Sequence, residues 1–563
     1  MDLQAFLRES EPTEGDFGCS DGKRRLATPR EELADRLKHY ESQDEGFEAT
    51  EEHLDALDAI FNKHQNVFLT GGAGTGKTTF VRSVVIPELD YRNLHWSVTA
   101  TTGIAGSHLD GKTINSFFGI GLGAKWAKYY PKDAEDFIPG MTVGDLVLHP
   151  SDMSDEELEQ WYAYLFDEWR NGGSVKEHIK MGVIKRLKAH EVVIIDEISM
   201  CGGDTMLGFL DYMLKQLRDD DSPYGGLQVI AVGDFSQLPP VDDNALSKPS
   251  RPDWAFLSRA WQSARVKPLE LTKVFRQGEP DFINFLNNIR DGKPVDKDYA
   301  GRFVRSDMTL AETRKYTFLV PTNKQAQALN VNALQHYTAP TIPLESEFVI
   351  EPTVQKMPHW EVNNQSRVKL DLEKALRLIS KTTFVRVGVP VMFTVNDSAG
   401  RFVNGTRGFI REINISRRTA NDPFDTDTLV IGIPSLEEGV PEELVTINRR
   451  SFSRNRDQDP TEMVAAPPEV AQRTGMAEIP IYPVIRQFPI IPATAITIHK
   501  SQGMSMDAAI LQLSNSFAAG QVYVGLSRLR SSKGMVLVDR DFEAKTDPLV
   551  MNYYRAIREG GKL

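Results

Sequence analysis

Residues 67–78 read Val-Phe-Leu-Thr-Gly-Gly-Ala-Gly-Thr-Gly-Lys-Thr, an apolar run that passes through a glycine loop into Thr79-Phe80-Val81. The stretch from Gly71 to Thr78 fits G-x-x-x-x-G-K-[ST]. A buried strand must end where the glycines begin, and a helix must start at the lysine. Glycines let the main chain wrap around phosphate oxygens with its N–H groups turned inward. The helix start adds a field that favours negative charge. Gly71, Gly72, Ala73, Gly74, Thr75, Gly76, Lys77, Thr78 and Thr79 are therefore the candidate lining of a nucleoside triphosphate site. Lys77 would reach the β- and γ-phosphates and the Thr78 hydroxyl would ligate Mg²⁺.

At 563 residues the chain is too long for one hydrophobic core, and two to four domains are expected. With 40% hydrophobic and 25% charged residues, it has the composition of a globular protein. No apolar run is long enough to span a bilayer, and Met1–Ser10 lacks the layout of a signal peptide. Two cysteines, Cys19 and Cys201, exclude a disulfide framework and a cysteine-based zinc site, which fits a reducing cytoplasm. The net charge of −13 argues against a nucleic-acid partner only until it is mapped. Residues 1–50 and 151–170 each carry −6, leaving −1 for the rest of the chain. A nearly neutral body can carry a basic groove.

Residues 1–45 mix Gly, Pro, Ser and charge with little periodicity and read as a mobile acidic tail, with a short helix near Leu33–Tyr40. A first helix is expected over Glu51–Lys63 with Thr50 as its cap. Glu191–Asp196 and Leu227–Val232 read as buried parallel strands, each ending in polar residues, where open α/β sheets gather their ligands. Lys77, Asp196 and Gln237 should meet there. Residues 119–184 form an insertion, and its clearest element is an amphipathic helix over Ser154–Trp169 begun by a Ser154/Glu157 capping box. The aromatics Tyr162, Tyr164, Phe166 and Trp169 leave two readings: packing onto its own domain or a partner-binding face. A second α/β unit is expected from Leu269 to 385 and again over 481–563. Residues 386–480, with short strand-like runs and Gly/Pro turns, read as a small inserted β-domain.

Ile194-Ile195-Asp196-Glu197 closes a buried strand with two acids. Asp196 suits Mg²⁺, and Glu197 suits deprotonation of an attacking water. In Gly233–Pro240, the amide of Gln237 suits a hydrogen bond to a γ-phosphate. Arg276, in Val-Phe-Arg-Gln, and Arg528, in Tyr-Val-Gly-Leu-Ser-Arg, suit the charge of a transferring phosphoryl group. Taken alone, an arginine is usually a surface ion pair.

Gly71–Thr78, Asp196-Glu197, GDFSQLPPV from Gly233, Phe275-Arg276-Gln277, AITIHKSQGMSMD from Ala495 and Gln521–Arg528 stand in an order that resembles superfamily 1 group B helicases. The likeness is nearest to the petite-integration-frequency family, with RecD and Dda as relatives. Thr102–Ala105 with Thr113–Phe117 is similar to the family's first DNA-contacting motifs. Val387-Gly388 through Gly408 is similar to the start of its inserted barrel. The resemblance covers roughly residues 50 to 540. It implies an α/β protein of two RecA-like parallel-sheet P-loop domains, with an inserted small SH3-like β-barrel and a helical insertion supplying a wedge. The implied domains are 46–268, then 269–385 with 481–563, and the barrel at 386–480. It implies ATP and Mg²⁺ as cofactors and 5′-to-3′ unwinding, on single-stranded and forked duplex DNA, in replication, recombination or repair. Lys77, Glu197, Gln237, Arg276 and Arg528 would serve hydrolysis, with Arg528 arriving by closure of the two domains. Thr102, Phe117, His499, Lys500 and Ser501 would touch DNA. Two positions depart from the pattern: His53 stands where the family has an adenine-reading glutamine, and Asn115 where it has a histidine.

Two rival readings remain open at this level. One is a translocase that strips proteins or remodels RNA. The other is an ATP-regulated scaffold that recruits replication proteins through the acidic tail or the 154–169 helix. The tail and the modest length favour a bacterial or viral source and a cytoplasmic location, with a nuclear one left open.

Overall fold

The structure, a computed structural model, describes residues 28–44, 47–101, 111–120, 150–171, 177–240, 252–275, 279–314, 316–352, 382–395, 397, 401–402, 405–415, 427–434, 441–453, 462–465 and 478–559. The chain divides into two compact units. The first joins residues 1–173, 183–306 and 511–563; the second is built chiefly from 307–510.

The first unit is organised on a six-stranded parallel sheet of β1 (Val67–Gly71), β2 (Trp96–Ala100), β3 (Lys112–Thr113), β4 (Val192–Asp196), β5 (Gln228–Val232) and β6 (Lys267–Leu271). Their order is β3-β2-β4-β5-β1-β6. Every side chain of β1 and β4 is buried, as expected for strands covered on both faces. Parallel neighbours demand crossovers, so the chain returns to the same edge of the sheet each time. The ends of β1, β4 and β5 thus line up: Val67 pairs with Ile230, and Val192 with Gln228.

The helix preceding β1 begins where Thr50 predicts. Helix α2 (Glu51–Leu57) opens with a capping box: the Thr50 side chain accepts the His53 N–H, and His53 Nδ1 accepts the Thr50 N–H at 3.1 Å. The helical path runs on through Asn62. His53 is 2% exposed and stacks on Phe80 at 4.4 Å between centroids, and burial pushes its pKa down to about 4.

The expected tail is shorter than residues 1–45. Helix α1 (Arg30–Gln43) buries Leu33 and Leu37 in the same core as Phe47, Leu54 and Phe80. Glu88, itself buried, accepts from Arg36 Nε at 2.9 Å, Tyr40 Oη at 2.9 Å and Arg92 Nε at 2.7 Å. The short helix expected near Leu33–Tyr40 is present as α1, and Leu33 and Leu37, one helical turn apart, dock it on the core. Residues 1–27 lie outside the described residues.

In the 119–184 insertion, helix α4 (Asp155–Asn171) starts with the predicted Ser154/Glu157 box, Ser154 N–H to Glu157 Oε2 being 2.7 Å. Leu158, Trp161, Tyr162, Leu165 and Phe166 are all buried in the core, and the Tyr162 hydroxyl donates to the Asp204 carbonyl at 2.6 Å. Packing onto its own domain accounts for Tyr162 and Phe166, while Tyr164 and Trp169 are partly buried against the same core. The stretch meant to supply a wedge, from Gly111, is described only to Ile120 before position 150.

A second α/β unit does not begin at Leu269. Strand β6 is the edge strand beside β1, and helix α5 (Pro280–Arg290) follows in the first unit. Arg290, 5% exposed, is paired with Asp234 at 3.1 Å and Glu270 at 2.8 Å, which fixes α5 there. Helices α6 (Gln521–Ser527) and α7 (Pro548–Arg558) complete this unit.

In the second unit β7 (Thr317–Val320) pairs in parallel with a strand over Ala495–Thr497. The helix Asn323–Gln335 is tied to that strand by Asn330, which exchanges two hydrogen bonds with Ala495. The inserted β region runs beyond 386–480. A five-stranded antiparallel sheet combines Pro390–Phe393, Arg407–Asn414, Thr428–Ile433 and Glu443–Asn448 with an edge strand at Ile490–Pro492. A further antiparallel sheet pairs Glu478–Gln487 with Glu347–Pro352. Phe393 and Phe402 stack at 3.8 Å in the core of the five-stranded sheet.

Two stability measurements follow. Leu37→Ala should cost about 2–4 kcal/mol in chemical denaturation; a change below about 0.5 kcal/mol would remove α1 from the core. His53 binds its proton in the unfolded chain near 6.5 but in the folded chain only near 4. Its contribution is therefore full above 6.5 and lost as pH falls toward 4. Between pH 7.5 and 5 the loss should be about 2 kcal/mol more for the wild type than for His53→Gln; parallel stability–pH curves would refute the assignment.

Candidate nucleotide site

Strand β1 ends at Gly71, whose φ is +148° and where a Cβ would lie 2.4 Å from the Leu271 carbonyl oxygen. Only glycine fits, because β6 runs directly beside it. The loop then turns back on itself. Thr75 Oγ1 donates to the Gly72 carbonyl at 3.0 Å, and the Phe275 N–H donates to the Gly74 carbonyl at 2.8 Å. Lys77 opens helix α3 (Lys77–Phe80), which continues helically to Tyr91. Its ammonium donates to the carbonyls of Gly71 at 2.8 Å and Gly72 at 2.9 Å, directly over the loop. Thr78 and Thr79 lie half-buried on the first turn.

Asp196 ends β4 and is 6% exposed. Burial, then the neighbouring Glu197 charge, push its pKa up to about 7, while Lys77 opposes this. Its Oδ1 accepts the Glu197 N–H at 2.9 Å. Glu197 adopts a left-handed conformation, φ 51° and ψ 46°, that costs a non-glycine residue free energy. The turn swings Glu197 away from the line of β4.

After β5, Asp234 is fully buried and its carboxylate gathers donors from four segments. Oδ1 takes the Tyr554 hydroxyl at 2.9 Å and the Ser236 N–H at 3.1 Å; Oδ2 takes Arg290 Nε at 3.1 Å and the Tyr523 hydroxyl at 3.2 Å. Burial works against the charged form, but Arg290 and Lys77 hold the carboxyl below its ordinary pKa. Gln237 follows on the same loop. It is 6% exposed, and its buried Oε1 has no hydrogen-bond partner among the described residues.

Arg528 follows α6, and the chain's return over 511–563 places it in the first unit with the phosphate loop. It is 3% exposed, with Nε donating to the Val524 carbonyl and Nη2 to the Ser527 hydroxyl, both at 2.8 Å. Burial lowers its pKa, and the charge of Glu197 acts in the other direction. Arg276 lies outside the described residues, although its neighbour Phe275 is tied to the loop. Lys77, Asp196, Glu197, Gln237 and Arg528 thus belong to one unit. The buried carboxylate, the loop ammonium and the orphaned Gln237 oxygen fit a triphosphate and a divalent cation.

The positions singled out for DNA do not share one setting. Thr102 lies outside the described residues. Phe117 is fully buried, edge-on to Phe118 at 4.9 Å and to His190 at 5.2 Å, so its ring is core and not a base-stacking surface. In the second unit Lys500 is exposed and His499 half-buried, whereas Ser501 is buried with its hydroxyl donating to the Ile498 carbonyl at 2.8 Å. Sequence reasoning missed Asp234, Arg290, Tyr523 and Tyr554. Asp234 and Tyr523 stood inside quoted motifs, but nothing in their spacing shows that they meet.

The family model for PIF1-like helicase matches residues 48–130 and 173–300. The ATP-dependent DNA helicase Pif1 of Bdellovibrio bacteriovorus is 29% identical over 511 residues, covering 90% of this chain and 92% of the relative. The ATP-dependent DNA helicase Pif1 of a Psychrobacter species is 32% identical over 526 residues, covering 88% and 69%. Among solved structures, the Bacteroides Pif1 helicase in complex with ADP-AlF3 and single-stranded DNA superposes with a TM-score of 0.54 at 25% identity, covering 91% of this chain and 98% of that one. With its phosphate loop and paired acids on one parallel sheet and a buried arginine beside them, the chain belongs to the PIF1-like family of ATP-dependent DNA helicases.

Proposed function

We propose that this helicase moves 5′ to 3′ along single-stranded DNA and opens forked duplex, with hydrolysis carried by Lys77, Glu197, Gln237 and Arg528. The observation that carries the reading is the gathering of these residues at the ends of β1, β4 and β5 and on the adjoining α6 in one unit. Lys77 holds the β- and γ-phosphates as a point charge. Glu197 takes the proton of the attacking water. The Gln237 amide N–H donates to a γ-phosphate oxygen, while its unpartnered Oε1 accepts from the attacking water. Arg528 offsets charge on the equatorial oxygens. Thr78 and Asp196 would hold Mg²⁺, which supplies charge neutralisation between the phosphates and favours the ionised Asp196. Arg276 would act with Arg528.

Lys500, exposed on the turn after Thr497, is the phosphate contact best supported by its surroundings. Thr102 and His499 stay as candidates, whereas the buried Phe117 and Ser501 are structural. Replication proteins would engage the acidic amino-terminal residues, since Trp161, Tyr162 and Phe166 of α4 are buried in the core. Among the described residues no helix is long and apolar enough to cross a membrane. Two cysteines and two bacterial relatives support a cytoplasmic location.

Three substitutions test the hydrolytic assignment. Lys77→Ala should abolish turnover with the fold intact. Glu197→Gln should bind ATP and leave it uncleaved. Arg528→Ala should bind ATP normally and lose about 10³-fold in rate. Single-turnover hydrolysis at saturating DNA reads all three, and a near-wild-type rate removes that residue from the site. ATPase activity should also rise with single-stranded DNA and fall with salt through counterion release. A fork with only a 5′ tail should be opened and one with only a 3′ tail left closed; the reverse preference refutes the polarity, and an ATPase indifferent to DNA at low salt favours a scaffold.

A further inference from the structure

The Tyr523 hydroxyl is used twice. It accepts the Ala73 N–H of the phosphate loop at 2.9 Å and donates to Asp234 Oδ2 at 3.2 Å. Its ring is 2% exposed. Burial and then the Asp234 charge raise its pKa, so the phenol keeps its proton and remains a donor. With Asp234 ionised, the proton points to the carboxylate and the lone pairs face Ala73. The arrangement has one polarity.

Tyr523 sits on α6 one turn before Ser527, whose hydroxyl receives Arg528 Nη2. The start of the same helix is also pinned. A Cβ on Gly520 would lie 2.3 Å from the Gln237 carbonyl oxygen, so α6 rests directly on the loop that carries Gln237. A helix fixed at its first turn by contact and at its third residue by two hydrogen bonds cannot slide relative to the phosphate loop without breaking them. An arginine that stabilises a transferring phosphoryl group needs such placement, since a displacement near 1 Å costs about 10²-fold in rate.

We propose that Tyr523 is a positioning residue for hydrolysis: its hydroxyl, shared between Ala73 and Asp234, holds the Arg528 helix in register with the phosphate loop. This rests on the assignment of Arg528 above. Tyr523 touches loop and helix but no reacting atom. Its effect on rate is exerted through Arg528.

The test is a double-mutant cycle of Tyr523→Phe and Arg528→Ala on the full chain, read by DNA-stimulated ATP hydrolysis with melting curves for each variant. Phenylalanine keeps the ring and its packing, so Tyr523→Phe should remain folded at the assay temperature. Its kcat should fall about 10-fold or more, with KM for ATP within about 3-fold. On the Arg528→Ala background the same change should cost less than about 2-fold, because the group it positions is already gone. An unchanged kcat for Tyr523→Phe beside a crippled Arg528→Ala overturns the role of Tyr523 alone. An equal loss on both backgrounds overturns it too, since the tyrosine would then act independently of Arg528. A near-wild-type rate for Arg528→Ala overturns both this inference and the assignment on which it rests.

Discussion

The first unit depends on one buried carboxylate. Asp234 lies at the end of β5 with no exposure to solvent, and a charge in that position is tolerable only if its oxygens are fully occupied. The donors come from Ser236 on its own loop, Arg290 on α5, Tyr523 on α6 and Tyr554 on α7. Tyr554 also bonds Thr70 on β1 at 2.8 Å and accepts the Phe235 N–H at 2.9 Å. Residues more than 300 positions apart thus meet around one group. Removing any donor leaves a desolvated charge short of a partner, which is why such networks are costly to disturb.

This arrangement ties folding to catalysis. The loop that carries Gln237, the loop that carries Lys77 and the helix that leads to Arg528 are all held by Asp234 or by groups it holds. Arg290 adds Glu270, and Glu270 adds Arg558 at 3.0 Å, extending the charge network to the rim of the sheet. The site is placed by elements whose own positions are settled in the core, as a preorganised electrostatic site requires.

What could be read from sequence was local. The phosphate loop, the two acids after a β-branched run, the Thr50 cap and the Ser154 capping box each have their physical cause within a few residues, and each is found where expected. The domain limits were not local. Strand β6 looks like the start of a new unit until its pairing with β1 is known, and Arg528 seems remote until the chain returns over 511–563. Leu33 and Leu37 are two apolar residues in an acidic segment, and only their shared core with Phe80 identifies them as structural. Phe117 illustrates the same limit: an aromatic ring serves equally in a core or under a base, and neighbours such as His190 decide between them.

One feature of α7 bears on how the protein is made. Trp254 donates its indole N–H to Asp547 at 2.8 Å, and Val550, Tyr553 and Tyr554 lie in the same core as Phe68, Phe235 and Phe256. These partners leave the ribosome some 300 residues apart. Until Pro548–Arg558 emerges, the earlier part of the first unit exposes an aromatic surface and a carboxylate without its Tyr554 donor. Translation of the second unit is completed during that interval. The aromatic core of the first unit is therefore completed only when α7 docks on segments made long before it.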